Sequence, residues 1–203
     1  MATSGTTAFD LSIEEIIQEA YERCGMTTTS GHSLRSARTS LNLLFAEWAN
    51  RGIHLWKVAL HENALVSGQA EYAVDSAVSD VLEAFVSTTA AGANTVNTQD
   101  VSLTKIDRSA YAALPNKLAL GQPSQYYVDR QEIPKIYLYQ APNLNTYTVL
   151  KYYVIKRIQD AGAYSNDADV VFRFLPCMVA GLAYYLAMKN APTLVQQNKL
   201  IYE

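Results

Sequence analysis

The chain has 203 residues and a formal net charge of −3, with 49% apolar and 17% charged side chains. This length allows one domain, or a core carrying one sizeable insertion, that folds without metal or disulfide support. The negative charge argues against a dedicated nucleic-acid-binding protein, which would carry a basic excess. Cys24 and Cys177 are the only cysteines, so at most one disulfide is possible, and two reduced thiols are the simpler expectation.

The N-terminal part predicts two helices. Ser12-Ile-Glu-Glu15 is a capping-box pattern, and apolar residues then recur at helical spacing until Gly25. A second apolar stripe of the same period begins at Ser33 and ends before Gly52. We expect these two helices to form an antiparallel hairpin.

The middle of the chain changes to short alternating segments, which are typical of strands. We expect these strands to form a meander, with a mobile polar loop at residues 87–100 and a short helix capped by Asp107. The predicted strands cover residues 55–61, 69–74, 81–86, 101–105, 124–130, 135–140 and 147–156.

A long apolar helix is predicted over about 170–190, followed after Pro192 by an amphipathic piece. Its apolar stretch at 174–188 is too short to span a bilayer, and the first eight residues do not resemble a signal peptide. Because the helical pattern continues to Glu203, we expect a further C-terminal tail. The predicted fold class is α+β: a helical bundle of two N-terminal helices and the long C-terminal helix, with an inserted antiparallel β module. The expected parts are a flexible N-terminus at 1–11, the bundle at 12–52 and 168–203, and the module at 53–160.

The sequence indicates no catalytic, cofactor or metal site. Spacings typical of metal ligands and of nucleophilic serine motifs are absent. Glu14 and Glu15, like Asp167 and Asp169, stand at predicted helix starts, where carboxylates serve as caps. The small residues around Gly181 indicate close helix packing rather than a phosphate-binding loop.

Tyrosine is unusually frequent, with 14 copies. Tyrosine favours strands, and it also suits surfaces that are sometimes wet and sometimes covered, so both interpretations stay open. The role of the basic residues near the end of the strand region also allows two interpretations. On a single copy they form a solvated face, whereas in a closed ring they could line a lumen and contact phosphate; these residues are Lys151, Lys156 and Arg157.

A series of segments in order along nearly the whole chain resembles one known family. The segments are Tyr21-Glu-Arg-Cys-Gly25, the leucine-rich helix through Trp48 to Gly52, Trp56-Lys-Val58, Leu65-Val-Ser-Gly-Gln-Ala-Glu-Tyr72, 103–115, Gly121-Gln-Pro-Ser-Gln-Tyr-Tyr127, 136–142 and Leu182-Ala-Tyr-Tyr-Leu-Ala187. They are similar to the head-to-tail adaptor (connector, or tail tubular A-type) proteins of short-tailed bacteriophages.

The resemblance implies a structural protein without enzymatic activity or cofactor. It implies a ring of about twelve copies between the capsid portal and the tail nozzle or tube, continuing the channel for double-stranded DNA. A tail fibre is a further possible partner, and no membrane is involved. The expected location is the neck and tail of the virion, assembled in the host cytoplasm.

Three groups of contact residues are expected from this ring. Subunit or partner contacts are expected at Trp56, Tyr126, Tyr127, Tyr137 and Tyr139. Contacts with the portal are expected at Leu194, Lys199, Ile201 and Tyr202, and the channel lining at Lys151, Lys156 and Arg157.

Two other functional classes stay open from sequence. One is a tail-associated cell-wall or polysaccharide hydrolase, which would need two carboxylates across a cleft. The other is a monomeric peptide-binding module.

Overall fold

A computed structural model describes residues 5–6, 9–27, 31–53, 55–89, 98–131 and 133–203. Two compact units divide the chain: a helical unit, Met1–Ile53 with Ile158–Glu203, and a β unit, His54–Arg157. Helices and sheets are both present, so the expected α+β class is confirmed. The predicted mobile loop at 87–100 and flexible N-terminus at 1–11 fall largely outside the described residues.

The helices and strands are assigned as follows. The helices are α1 (Ile13–Arg23), α2 (Gly31–Asn50), α3 (Arg108–Ala113), α4 (Leu175–Asn190) and α5 (Val195–Tyr202). The strands are β1 (Val58–Ala64), β2 (Glu71–Ala73), β3 (Val78–Ser87), β4 (Asp100–Ser102), β5 (Thr104–Ile106), β6 (Leu120–Gly121), β7 (Gln125–Asp129), β8 (Lys135–Tyr139), β9 (Ala141–Pro142) and β10 (Val149–Lys156). Short 3₁₀ helices occupy Leu55–Lys57, Phe172–Phe174 and Pro192–Leu194.

Helix α1 begins and ends as its sequence predicts. The Glu15 amide donates to Ser12 Oγ at 3.3 Å, and the Ser12 amide donates to Glu15 Oε2 at 2.8 Å, which completes the capping box. After the helix, Gly25 has a φ of +68°, a left-handed conformation that glycine adopts without steric cost. The buried face of α1, which includes Ile16 and Ile17, contacts α4.

Helix α4 lies at the centre of the helical unit and contacts α1, α2 and α5. It approaches both α2 and α5 closely at Gly181. A Cβ atom built there would lie 2.9 Å from Leu44 Cδ1 of α2 and 2.9 Å from Tyr202 Cε2 of α5. The close helix packing predicted around Gly181 is therefore confirmed.

The expected capping role of Asp167 and Asp169 is wrong. Helix α4 begins only at Leu175, after a 3₁₀ turn, and no side chain caps its first turn. Asp169 Oδ2 instead accepts a hydrogen bond from the Gln159 amide at 3.0 Å. The backbone of Asp167 forms an isolated antiparallel β-bridge with Ser12. Both residues thus lie in the segment that leads into the helix.

The strands of the β unit form two four-stranded sheets. The first sheet has the order β1-β10-β3-β4 and the second has the order β2-β8-β7-β5, while β6 and β9 form a small parallel pair. The pairs are antiparallel in both sheets except for β5 with β7, which is parallel.

The expected meander is wrong, because consecutive strands pair only as β3 with β4 and β7 with β8. Strand β10 separates β1 from β3. It carries apolar side chains on both faces, as in Val149-Leu150 and Val154-Ile155, and a strand of this kind favours the middle of a sheet over an edge.

The inner faces of the two sheets share one apolar core. Val81 and Leu150 contribute to it from the first sheet, and Ile136 and Leu138 from the second. Tyr126 joins the sheets directly, because its hydroxyl donates to the Leu82 carbonyl at 3.2 Å. Helix α3 packs against β7 on the outer face of the second sheet.

We predict that Gly181→Val destabilises the helical unit. The added side chain would overlap Leu44 and Tyr202, and overpacking a dense core costs about 1–3 kcal/mol. Gly31→Ala is the matched control: a Cβ there meets nothing within 4 Å, so it should be neutral or slightly stabilising. Urea unfolding measures both, and equal midpoints for Gly181→Val and the wild type would show that the packing account is wrong.

Candidate docking surfaces

Among the described residues, no three His, Cys, Asp or Glu side chains converge on a position that could hold a metal. Cys24 and Cys177 are free thiols, and burial raises the pKa of both, which lowers their thiolate fraction and nucleophilicity. No helix in the described part of the chain has the length and apolar character needed to cross a bilayer. Exposed surfaces supply further candidate functional features.

A three-ring tyrosine cluster lies on the outer face of the second sheet. The Tyr111 ring of α3 stacks on Tyr127 of β7 with centroids 5.6 Å apart, and Tyr127 stacks on Tyr137 of β8 at 6.0 Å. Lys117 Nζ lies 5.6 Å from the Tyr111 centroid, a cation–π distance. Burial raises the pKa of Tyr111 and, with the nearby Glu71 carboxylate, that of Tyr137. Helix α3 therefore already covers much of this aromatic surface within one copy.

The tyrosines expected at an interface separate into core and surface positions. Tyr126 is only 1% exposed and belongs to the core, which contradicts its expected role as a contact residue. The strand alternation that turns Tyr126 inward turns Tyr127 outward, where Tyr127, Tyr137 and Tyr139 are half-buried. Trp56 is half-buried in the 3₁₀ helix before β1. For these four residues, the interface role stays a prediction.

The first sheet has an outer face rich in exposed apolar side chains, which we call the open face. Leu60 of β1 lies opposite Tyr153 of β10, and Val58 lies opposite Ile155. The Phe85 ring of β3 contacts the Tyr153 ring, with centroids 6.1 Å apart. Leu60 and Tyr153 are 40% and 39% exposed. Reasoning from the sequence missed this surface because it depends on the pairing of β1 with β10.

Helix α5 has one side that packs internally and one that is exposed. The Trp48 indole N–H donates to the Tyr202 hydroxyl at 3.0 Å, and the Tyr202 ring stacks on Tyr184. Tyr202 thus anchors α5 to the helical unit and is half-buried, and its portal contact stays a prediction. Leu200, missed from sequence, is 78% exposed beside Ile201.

The other two residues expected at the portal are partly exposed. Leu194 ends the 3₁₀ helix that precedes α5 and is half-buried. Lys199 lies in α5, with its Nζ 3.7 Å from a Glu203 carboxylate oxygen. For Leu194, Lys199 and Ile201, the portal contact stays a prediction.

The three basic residues expected at a channel differ in exposure. The Lys151 side chain is only 7% exposed, and its Nζ lies 3.7 Å from Asp100 Oδ1. The structure therefore contradicts the expected channel-lining role of Lys151, because the ammonium group is held within the β unit. Lys156 is half-buried and Arg157 is exposed at the end of β10, and their role stays a prediction.

Exposed apolar side chains on sheet and helix surfaces are typical of a protein that works by docking. Residues 13–201 match the family described as SU10 adaptor protein, and the chain belongs to this family. The resemblance to phage head-to-tail adaptors is thereby confirmed. The family is one of structural phage adaptors, virion components that associate with other head and tail components, and it is not an enzyme family. A search of curated proteins returned no match.

We predict that Tyr126→Phe reduces the loss of stability at alkaline pH. Burial, with a smaller effect of Glu83 and Asp80, raises the pKa of Tyr126 from 10.0 to about 12. The folded state therefore holds this proton more tightly than the unfolded chain, and the resulting stability is complete below pH 10 and lost between pH 10 and 12. Phenylalanine cannot ionise, so the free energy of unfolding should fall less steeply across this range.

Urea titrations at several pH values measure the effect of Tyr126→Phe. Tyr153→Phe, which removes a more exposed hydroxyl from the same unit, is the control. Losing the hydrogen bond to the Leu82 carbonyl should cost about 1 kcal/mol at neutral pH. A slope for Tyr126→Phe equal to that of the wild type would contradict the prediction.

Proposed function

We propose that this protein forms a closed ring of about twelve copies that joins the capsid portal to the tail nozzle or tube. The observation that carries this proposal is the family match, which extends over 13–201 and so includes both units. The ring continues the DNA channel, and it contributes to the retention of packaged DNA and to its ejection. It assembles in the host cytoplasm.

The helical unit supplies the portal side of the ring in this proposal. We assign a helical bundle to residues 12–52 and 168–203, built around α4. The exposed end of α5 provides apolar side chains for the contact, since Leu200 and Ile201 point away from the core while Tyr202 holds the helix in place. Leu194 and Lys199 flank this contact.

The β unit supplies the tail side and the contacts between copies. We assign the inserted module to residues 53–160, with Trp56, Tyr127, Tyr137 and Tyr139 at its contact surfaces. Tail nozzle or tail tube proteins bind this module, and a tail fibre is a further candidate. A ring made of identical copies needs two different complementary surfaces on each copy.

Lys156 and Arg157 line the DNA channel in this proposal. Lys156 is the last residue of β10 and Arg157 follows it, and both are at least partly exposed. Repeated around a ring, two cations per copy would attract phosphate without reading sequence. The negative net charge is consistent with passage of DNA rather than tight binding.

Light scattering of the purified protein, alone and with the portal protein of its phage, tests the proposed ring. We expect a discrete species near twelve times the 22.4 kDa chain mass, formed alone or on the portal. A test variant, Leu200→Glu with Ile201→Glu, removes the exposed apolar end of α5 and should weaken portal binding relative to the wild type. A wild-type monomer that ignores the portal would contradict the proposed function.

We predict that Lys156→Gln with Arg157→Gln slows DNA ejection without preventing particle assembly. The substitutions remove two positive charges per copy from the proposed channel and leave the apolar contacts unchanged. Lys135→Gln is the control, because Lys135 is a cation of the β unit that pairs with Glu71 at 2.6 Å. Particle yield and ejection kinetics are measured for each, and ejection by the double variant at the wild-type rate would count against a channel role.

A further inference from the structure

The β unit covers one of its two outer faces and leaves the other open. Helix α3 lies over the second sheet, where Tyr111 stacks on Tyr127 at 5.6 Å. Within the described ranges, no equivalent layer covers the first sheet, and Leu60 and Tyr153 remain about 40% exposed. An antiparallel sheet with one solvated face normally places polar residues on that face. The apolar open face therefore indicates a surface that another molecule covers.

The open face combines apolar and acidic groups. Glu62 shares the outward side of β1 with Leu60, and Glu83 of β3 lies opposite Tyr153. The one cation directed to this side from β10 is Lys151, which is largely buried and near Asp100. Lys151 lies directly opposite Glu62, so the accessible negative charge beside the exposed Tyr153 comes from Glu83, and it favours an apolar and basic partner surface.

A surface of that kind exists elsewhere on the same unit. Residues 108–121, which we call the α3 segment, contain Arg108 and Lys117 and no acidic residue. Leu118 and Leu120 of this segment are 69% and 63% exposed. Lys117 Nζ donates to the Ala112 and Leu114 carbonyls, so the accessible positive charge comes from the exposed Arg108. The α3 segment is thus apolar and basic where the open face is apolar and acidic.

The two surfaces are associated with opposite sheets of the sandwich. The open face is the outer side of the first sheet, and α3 packs on the outer side of the second. The outer sides of two sheets that share a core point in opposite directions. A contact between the two surfaces on different copies is therefore heterologous, the kind of contact that repeats around a ring and closes it.

We propose that the open face of each copy binds the α3 segment of the next copy. Each α3 segment then lies between the second sheet of its own copy and the first sheet of its neighbour. This arrangement repeats around the ring. A symmetric contact between two open faces would bring the Glu83 side chains of both copies together, and like charges disfavour it. This proposal rests on the proposed ring and identifies the contact between its subunits.

Two complementary variants test the contact. Leu60→Glu with Tyr153→Glu disables the open face, and Leu118→Glu with Leu120→Glu disables the α3 segment. All four side chains are at least partly exposed, so the monomers should keep their fold, which circular dichroism checks. Ile133→Glu is the matched control, because Ile133 is an exposed apolar residue of the same unit outside both surfaces.

Native mass spectrometry of the full-length variants, alone and mixed, gives the decisive result. Each double variant alone should remain monomeric, while Ile133→Glu should assemble as the wild type does. A mixture of the two double variants should form one-to-one dimers that do not grow, because each dimer holds one intact contact and two disabled surfaces. Ring formation by either double variant alone would overturn the proposal, as would a mixture that stays monomeric when the wild type forms rings.

Charge reversal provides an independent measurement. Glu83→Lys or Arg108→Glu alone gives the two surfaces like charges and should weaken assembly several-fold, whereas both in one chain restore opposite charges and should recover assembly. No recovery in the double variant would also overturn the contact. If the wild type forms no ring with or without the portal, the proposed function itself fails, and the mass of the wild type separates that result from failure of the subunit contact.

Discussion

The antiparallel pairing of β1 with β10 is the constraint on which the rest of the structure depends. Val58 lies opposite Ile155, so the first and last strands of the β unit are neighbours although they are far apart in sequence. This pairing brings the two ends of the unit together, which is the condition under which one compact unit can be inserted into another. It also places Leu60 beside Tyr153 and thereby creates the open face.

Local features of the fold could be predicted from the sequence because neighbouring residues determine them. The capping box at Ser12 and the cap at Asp107 each join groups three residues apart, and both occur as expected. Gly181 was expected to allow close packing, and it lies against Leu44 and Tyr202. The two caps require no knowledge of the distant parts of the chain, whereas the small residues around Gly181 indicate close packing without identifying its partners.

The order of the strands could not be predicted, because it depends on contacts between distant segments. A period of two indicates that Tyr126 and Tyr127 point to opposite faces, but it does not indicate which face forms the core. For the same reason Lys151 was expected in a channel, whereas the structure places its side chain near Asp100. The exposure of Leu200 could not be predicted either, because the sequence allows either side of α5 to pack against the helical unit.

Burial and exposure together describe a protein whose function is contact. Each unit has its own apolar interior, and Trp48 bonded to Tyr202 keeps α5 fixed in the helical unit. Exposed apolar side chains include those on the open face, on the α3 segment and at the end of α5. A structural adaptor must meet neighbours on several sides, and three separate exposed surfaces are suited to that task.

Electron cryomicroscopy of the neck of the intact virion tests the central claim most directly. The account predicts a single closed ring of this protein beneath the portal, with the first sheet of each copy against the α3 segment of the next. Density for this protein at another position in the particle, or an arrangement without a closed ring around the DNA path, would contradict it.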